Sequence, residues 1–175
     1  MAVHQIPLDR DSLYIKIESI HTEGMYHWSL VFVDAAGTAR QYQWGAPPRP
    51  PNGQRRAPMP PEVFTSGPVA ARLLLGCFKL GAYIGGLSHS VLEEVGANTF
   101  QSYDTVQENR ARGLSSGSWV ATVLTKLQES GRYSEGAVSL QAIEDQIKKI
   151  SEDADLRRLQ AFLAGTPYRM VITTV

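Results

Sequence analysis

Tyr26-His-Trp-Ser-Leu-Val-Phe-Val33 is the stretch on which the fold turns. Its aromatic and β-branched side chains are apolar on both faces, which suits a strand inside a sheet. Upstream, Leu13-Tyr-Ile-Lys-Ile-Glu-Ser-Ile20 alternates apolar and polar residues at period two, the pattern of a half-buried strand. His21-Thr-Glu-Gly24 supplies a turn between them. Downstream, Ala35-Ala-Gly37 offers a short hairpin turn into Thr38-Ala-Arg-Gln-Tyr-Gln-Trp44. Three consecutive strands with tight links predict an antiparallel meander.

Beyond it the punctuation changes. Seven of the ten prolines lie between Pro47 and Pro61, where missing backbone donors and fixed φ exclude a helix or a central strand. The segment 46–61 therefore reads as a long surface loop within one domain spanning 1–175, with a polyproline II ligand as the competing reading. Pro68–Phe78 has a helical look that Gly76, Gly81, Gly85 and Gly86 undercut, and Lys79–Ile84 is a further strand candidate. Ser88–Val95 reads as a short helix capped by Ser88 and stopped by Gly96. Three apolar stripes at helical spacing follow. The first runs from Trp119 through Val120, Val123 and Leu124 to Leu127, the second from Leu140 through Ile143 and Ile147 to Ile150. The third takes in Leu156, Leu159, Phe162 and Leu163 before Gly165 and Pro167. Tyr168–Val175 closes the chain as a β-branched strand. The fold class is α+β: an antiparallel sheet, made of the meander and the C-terminal strand, packed against a helical second half.

Composition narrows the function classes. The 175 residues carry 17 basic and 17 acidic side chains. That balance lacks the positive footprint of nucleic-acid or anionic-membrane binding, so neither is an expected partner. A single cysteine, Cys77, excludes an internal disulfide. The N-terminal stretch lacks the basic-then-apolar layout of a signal peptide, and the expectation is a cytoplasmic protein. No metal-ligand spacing or phosphate loop calls for a cofactor. A small-molecule substrate is the expected partner, with a homodimer left open.

Two features carry chemistry. His27 lies within an apolar strand, sharing its face with Ser29, Val31 and Val33, and a polar ring there needs a partner. His4 and His89 read as surface residues, and His21 sits at a strand end. The second feature is Gly113-Leu-Ser-Ser-Gly-Ser-Trp119, which opens the best helix. Gly113-x-Ser115-x-Gly117 matches a nucleophile-elbow pattern, but the polar segment Val106–Arg112 before it is no buried strand. One of Ser115, Ser116 and Ser118 caps the helix, and a hydroxyl at that terminus sits where amide N–H groups stabilise an anion.

A strand bearing His27-Trp28, followed much later by a Gly/Ser loop and a Trp119-Val-x-x-Val-Leu-x-x-Leu127 helix, resembles an uncharacterised family of fungal domains. That family is similar in arrangement to circularly permuted NlpC-type papain-like proteins, including the lecithin-retinol acyltransferase group. The resemblance covers His27-Trp28 and Tyr103 through Leu127. It implies a papain-like layout in which the strand histidine activates a cysteine at the helix N-terminus, and that cysteine is replaced here by Ser116. A hydroxyl is a weaker nucleophile than a thiolate. The first expectation is accordingly a pocket reused for non-covalent acid/base chemistry on a small molecule, such as isomerisation or cyclisation. His27 would be the acid/base, and Ser115 and Ser116 hydrogen-bond donors. Trp28, Gln41, Gln43, Tyr103 and Trp119 would line the substrate. The alternatives are a Ser116–His27 hydrolase or acyltransferase, with Gln41 or Gln43 holding the ring, and a catalytically inactive interaction module.

Overall fold

The computed structural model describes residues 8–20, 25–45, 57–58, 62–63, 73–100, 106–134 and 139–175. His4, His21, Tyr103 and most of the Pro-rich segment, for which the sequence raised expectations, lie outside these residues. Strands β1 (Ser12–Ser19), β2 (Tyr26–Val33) and β3 (Ala39–Tyr42) form the expected antiparallel meander. Between β2 and β3, Gly37 adopts φ +90°, which a side chain would resist. Thr38 N–H donates to Asp34 Oδ1 at 2.7 Å and closes that turn.

Two-residue strands follow: β4 (Trp44–Gly45) pairs with β5 (Ala57–Pro58), and β6 (Glu62–Val63) pairs with β3. Then β7 (Leu74–Lys79) runs antiparallel to β1, and β8 (Val171–Thr174) lies on the outer side of β7. The six-stranded sheet has the order β6-β3-β2-β1-β7-β8.

Two expectations are corrected here. The sheet is mixed, because β8 joins β7 in parallel. Parallel neighbours need a crossover connection, and the helices between Leu80 and Met170 provide it; side-chain periodicity carries no record of strand direction. The strand of the glycine-punctuated region is Leu74–Lys79, earlier than Lys79–Ile84. Gly76 fits within it because a β-carbon there would lie 2.9 Å from the Val171 carbonyl oxygen of β8.

The helices are α1 (His89–Ala97), α2 (Val106–Ala111), α3 (Ser116–Glu129) and α4 (Leu140–Leu163). Ser88 caps α1, its hydroxyl accepting from Val91 N–H at 3.3 Å. Gly96 does not stop α1; it lets the helix lie against Trp119, since a β-carbon there would sit 3.0 Å from Cζ2. The second and third apolar stripes belong to one 24-residue helix, α4, which contains no glycine or proline to interrupt it.

Strand alternation sorts the sheet into two faces. Leu13, Ile15, Ile17, Trp28, Leu30, Phe32 and Tyr42 turn toward the helices and share one core with Leu92, Trp119, Val123, Leu127 and Ile147. The other face carries Tyr14, Val31, Val33, Leu74 and Cys77. Lys16, Glu18, His27, Ser29, Gln41 and Gln43 fall on that same side by parity.

Candidate functional site

His27 is the second residue of β2 and sits half-buried opposite Glu18 of β1. Its Nε2 lies 2.9 Å from Gln43 Oε1. Gly45 stands beside the ring, where a β-carbon would be 3.5 Å from Cε1. Gln41 Nε2 donates to the same Gln43 oxygen at 2.9 Å, and Lys16 Nζ donates to Gln41 Oε1 at 2.7 Å. Glu18 closes the row with an ion pair to Lys16 at 3.0 Å. Lys16 is only 4% exposed, and a buried ammonium costs several kcal/mol (roughly) unless its donors are met. Glu18 and Gln41 take two of its three donors. Cys77, paired across the ladder with Lys16, is fully buried, and burial pushes its thiol up to about 12. It is therefore a neutral packing residue at ordinary pH.

Ser116 belongs to a different environment. Ser115 is the N-cap of α3, with Ser118 completing a reciprocal capping box: Ser118 N–H donates to Ser115 Oγ at 3.0 Å, and Ser115 N–H to Ser118 Oγ at 2.8 Å. Ser116 is the first helical residue, buried, and its Oγ accepts from Trp28 N–H at 3.1 Å. The register that pairs Leu30 with Tyr42 ends before Trp28, so the start of α3 takes up a sheet-edge donor that β3 leaves open. Trp28 packs under this turn, its Cδ1 being 3.6 Å from where a Gly117 β-carbon would stand.

His27 and Ser116 thus flank one peptide group without bonding to each other. The ring leaves the strand on the face opposite the Trp28 indole, and the Ser116 hydroxyl is engaged by the backbone. A cleft of about 290 Å³ opens beside Ser116, lined by Met25, Tyr26, Trp28 and Gly117 and walled by Glu144 and Glu152 of α4. Ser115 lines it too; His27 does not. Trp119 is 1% exposed in the core, with Nε1 donating to the Gly96 carbonyl at 3.2 Å.

A second polar cluster has no counterpart in the sequence reading. His89, expected at the surface, is packed at the start of α1: its Nδ1 is 2.7 Å from Tyr42 Oη, and its ring meets Phe32 edge-on at 5.0 Å. Asp34 Oδ2 is 3.3 Å from Nε2, close enough for charge attraction but out of line for a hydrogen bond. Burial pushes the Tyr42 phenol up to about 12, so it remains a donor, and the Thr38 N–H holds the Asp34 carboxyl below its ordinary range. Strand alternation places Tyr42 on the helix face; which helix residue meets it is not encoded locally. Lys16 and Glu18, by contrast, were legible as the polar half of an alternating strand.

Among the described residues no group of three or more His, Cys, Asp or Glu could hold a metal ion, and no helix is long and apolar enough to cross a membrane. Set against known protein families, curated proteins and solved structures, the chain shows no match.

Proposed function

We propose that this chain is a small-molecule enzyme that works by non-covalent acid/base and positioning chemistry, of the isomerisation or cyclisation type. The observation that carries this reading is the His27–Gln43 contact at 2.9 Å, backed by Gln41 and the buried Lys16. An imidazole held in one orientation is suited to proton transfer. The covalent alternative has less support, because Ser116 Oγ is engaged by Trp28 N–H and no base among the described residues is directed at it. His27 is the second residue of β2, two residues along the chain from Met25 of the cleft, and this proposal requires substrate to meet the ring on the polar face. Within this proposal the papain-like resemblance describes the ancestry of the pocket, with Ser116 retained as a structural hydroxyl.

The test is solvent-deuterium incorporation into a panel of small carbonyl compounds, read by proton NMR. Incorporation is expected with the native chain and with Ser116→Ala, and is lost with His27→Gln. Exchange unaffected by His27→Gln would refute the proposal, as would fluorophosphonate labelling that depends on Ser116.

One observation favours a second reading, the interaction module. Leu156, Leu159, Phe162 and Leu163 form a stripe along α4, with Phe162 77% and Leu163 76% exposed. Sedimentation of the native chain against Phe162→Glu reads whether that stripe self-associates.

A further inference from the structure

We infer that Lys16 is the positioning residue that fixes the tautomer of His27, a deepening of the acid/base role proposed above and resting on it for its catalytic consequence. The chain of contacts has only one consistent polarity. An ammonium has donors and no acceptor, so the Gln41 atom 2.7 Å from Lys16 Nζ is the amide oxygen. Gln41 must then present its NH₂ group to Gln43, and the Gln43 atom that receives it is an oxygen. That oxygen can only accept. His27 Nε2, 2.9 Å away, is therefore protonated, and the lone pair of the neutral ring lies on Nδ1.

Burial holds this setting at its Lys16 end. Lys16 and Gln41 are both buried and Gln43 is half-buried, and reversing either amide would oppose two donors or two acceptors. The reach is possible because Ser29, the β2 residue paired with Lys16, is small. Glu18 neutralises the ammonium at 3.0 Å without entering the amide chain. Lys16 acts on His27 across two strands and two amides, and the base atom of the proposed chemistry is Nδ1.

The experiment is long-range proton–nitrogen NMR of the full chain labelled at histidine nitrogens, at pH 8, with the His27 signals assigned by their loss in His27→Gln. The native spectrum is expected to show a pyrrole-type Nε2 and a pyridine-type Nδ1. Lys16→Arg, also donor-only, keeps that pattern, and Lys16→Met averages the two nitrogens toward each other. The decisive variant is Gln41→Glu. Its carboxylate accepts from Lys16 but cannot donate to Gln43, so Gln43 turns its NH₂ group toward both neighbours and His27 switches to the Nδ1–H form. Should Lys16→Met fail to fold, Gln41→Glu and Gln41→Leu give the same reading with the Lys16–Glu18 pair intact. A native Nδ1–H tautomer, or an unchanged tautomer in Gln41→Glu, overturns the assignment. Neither outcome depends on a substrate, so failure here is separable from failure of the deuterium-exchange test.

Discussion

The two faces of one sheet are held by different physics. Toward the helices, Leu13, Ile15, Ile17, Leu30 and Phe32 meet apolar side chains from α1, α3 and α4, and the stabilisation scales with area removed from water. On the other face the same strands carry Lys16, Glu18, His27, Gln41 and Gln43, whose stability depends on every donor finding an acceptor. The first face tolerates graded change; the second is close to all-or-none. The proposed acid/base chemistry is assigned to the second because a fixed proton position needs a hydrogen-bond chain, which dispersion contacts cannot supply.

That contrast can be broken from either side. The largest effect is expected from Phe32→Ala, which removes a fully buried ring and should cost about 3–5 kcal/mol in chemical denaturation. Lys16→Met comes next at about 3 kcal/mol, because it strands a partly buried carboxylate and an amide oxygen. Adding Glu18→Leu to it is expected to recover most of that loss, whereas no second truncation on the helix face rescues Phe32→Ala. If the double variant is no better than Lys16→Met, the polar face is not held by pairing.

The alkaline limb sharpens the comparison with one buried acid on each face. Cys77 on the polar face is raised from 9.0 to about 12 and Tyr42 on the helix face from 10.0 to about 12, both chiefly by burial. A folded-state value above the unfolded one means the native chain keeps protons that the unfolded chain releases. Stability is therefore full below pH 9 and declines as pH rises toward 12. At pH 10 the loss is about 2 kcal/mol, mostly from Cys77. Denaturation curves of Cys77→Ser should lose the onset near pH 9 and keep the later one from Tyr42. The smallest effect is expected from Ser115→Ala, slightly under about 1 kcal/mol for the lost cap. The His27 NMR signals should be unmoved, since the cap belongs to α3 and the ring to the polar face.

How legible all this was depends on the range of the interaction. Period-two alternation in residues 13–20 and 26–33 marked β1 and β2, and helical spacing marked α3, because each pattern is written within a dozen residues. The second and third stripes lie on one helix because Ser151–Asp155 between them contains no helix breaker. His27 and Gln43 stood out as a polar ring and an amide on neighbouring strands, and the structure sets them 2.9 Å apart. His89 was missed because its partners Asp34 and Tyr42 lie about fifty residues away in sequence and belong to other elements.

The sequence by itself determined the α+β class, the positions of β1, β2 and α3, and the alternation that sorts β1 into two faces, since all follow from local periodicity. Only the tertiary structure decided that β8 runs parallel to β7, that Ser116 spends its hydroxyl on the Trp28 amide, and that Lys16 reaches Gln41 over Ser29. Those are matters of strand direction, edge filling and hydrogen-bond polarity. Each depends on groups brought together by packing, and no periodic pattern along a single chain records which of them will meet.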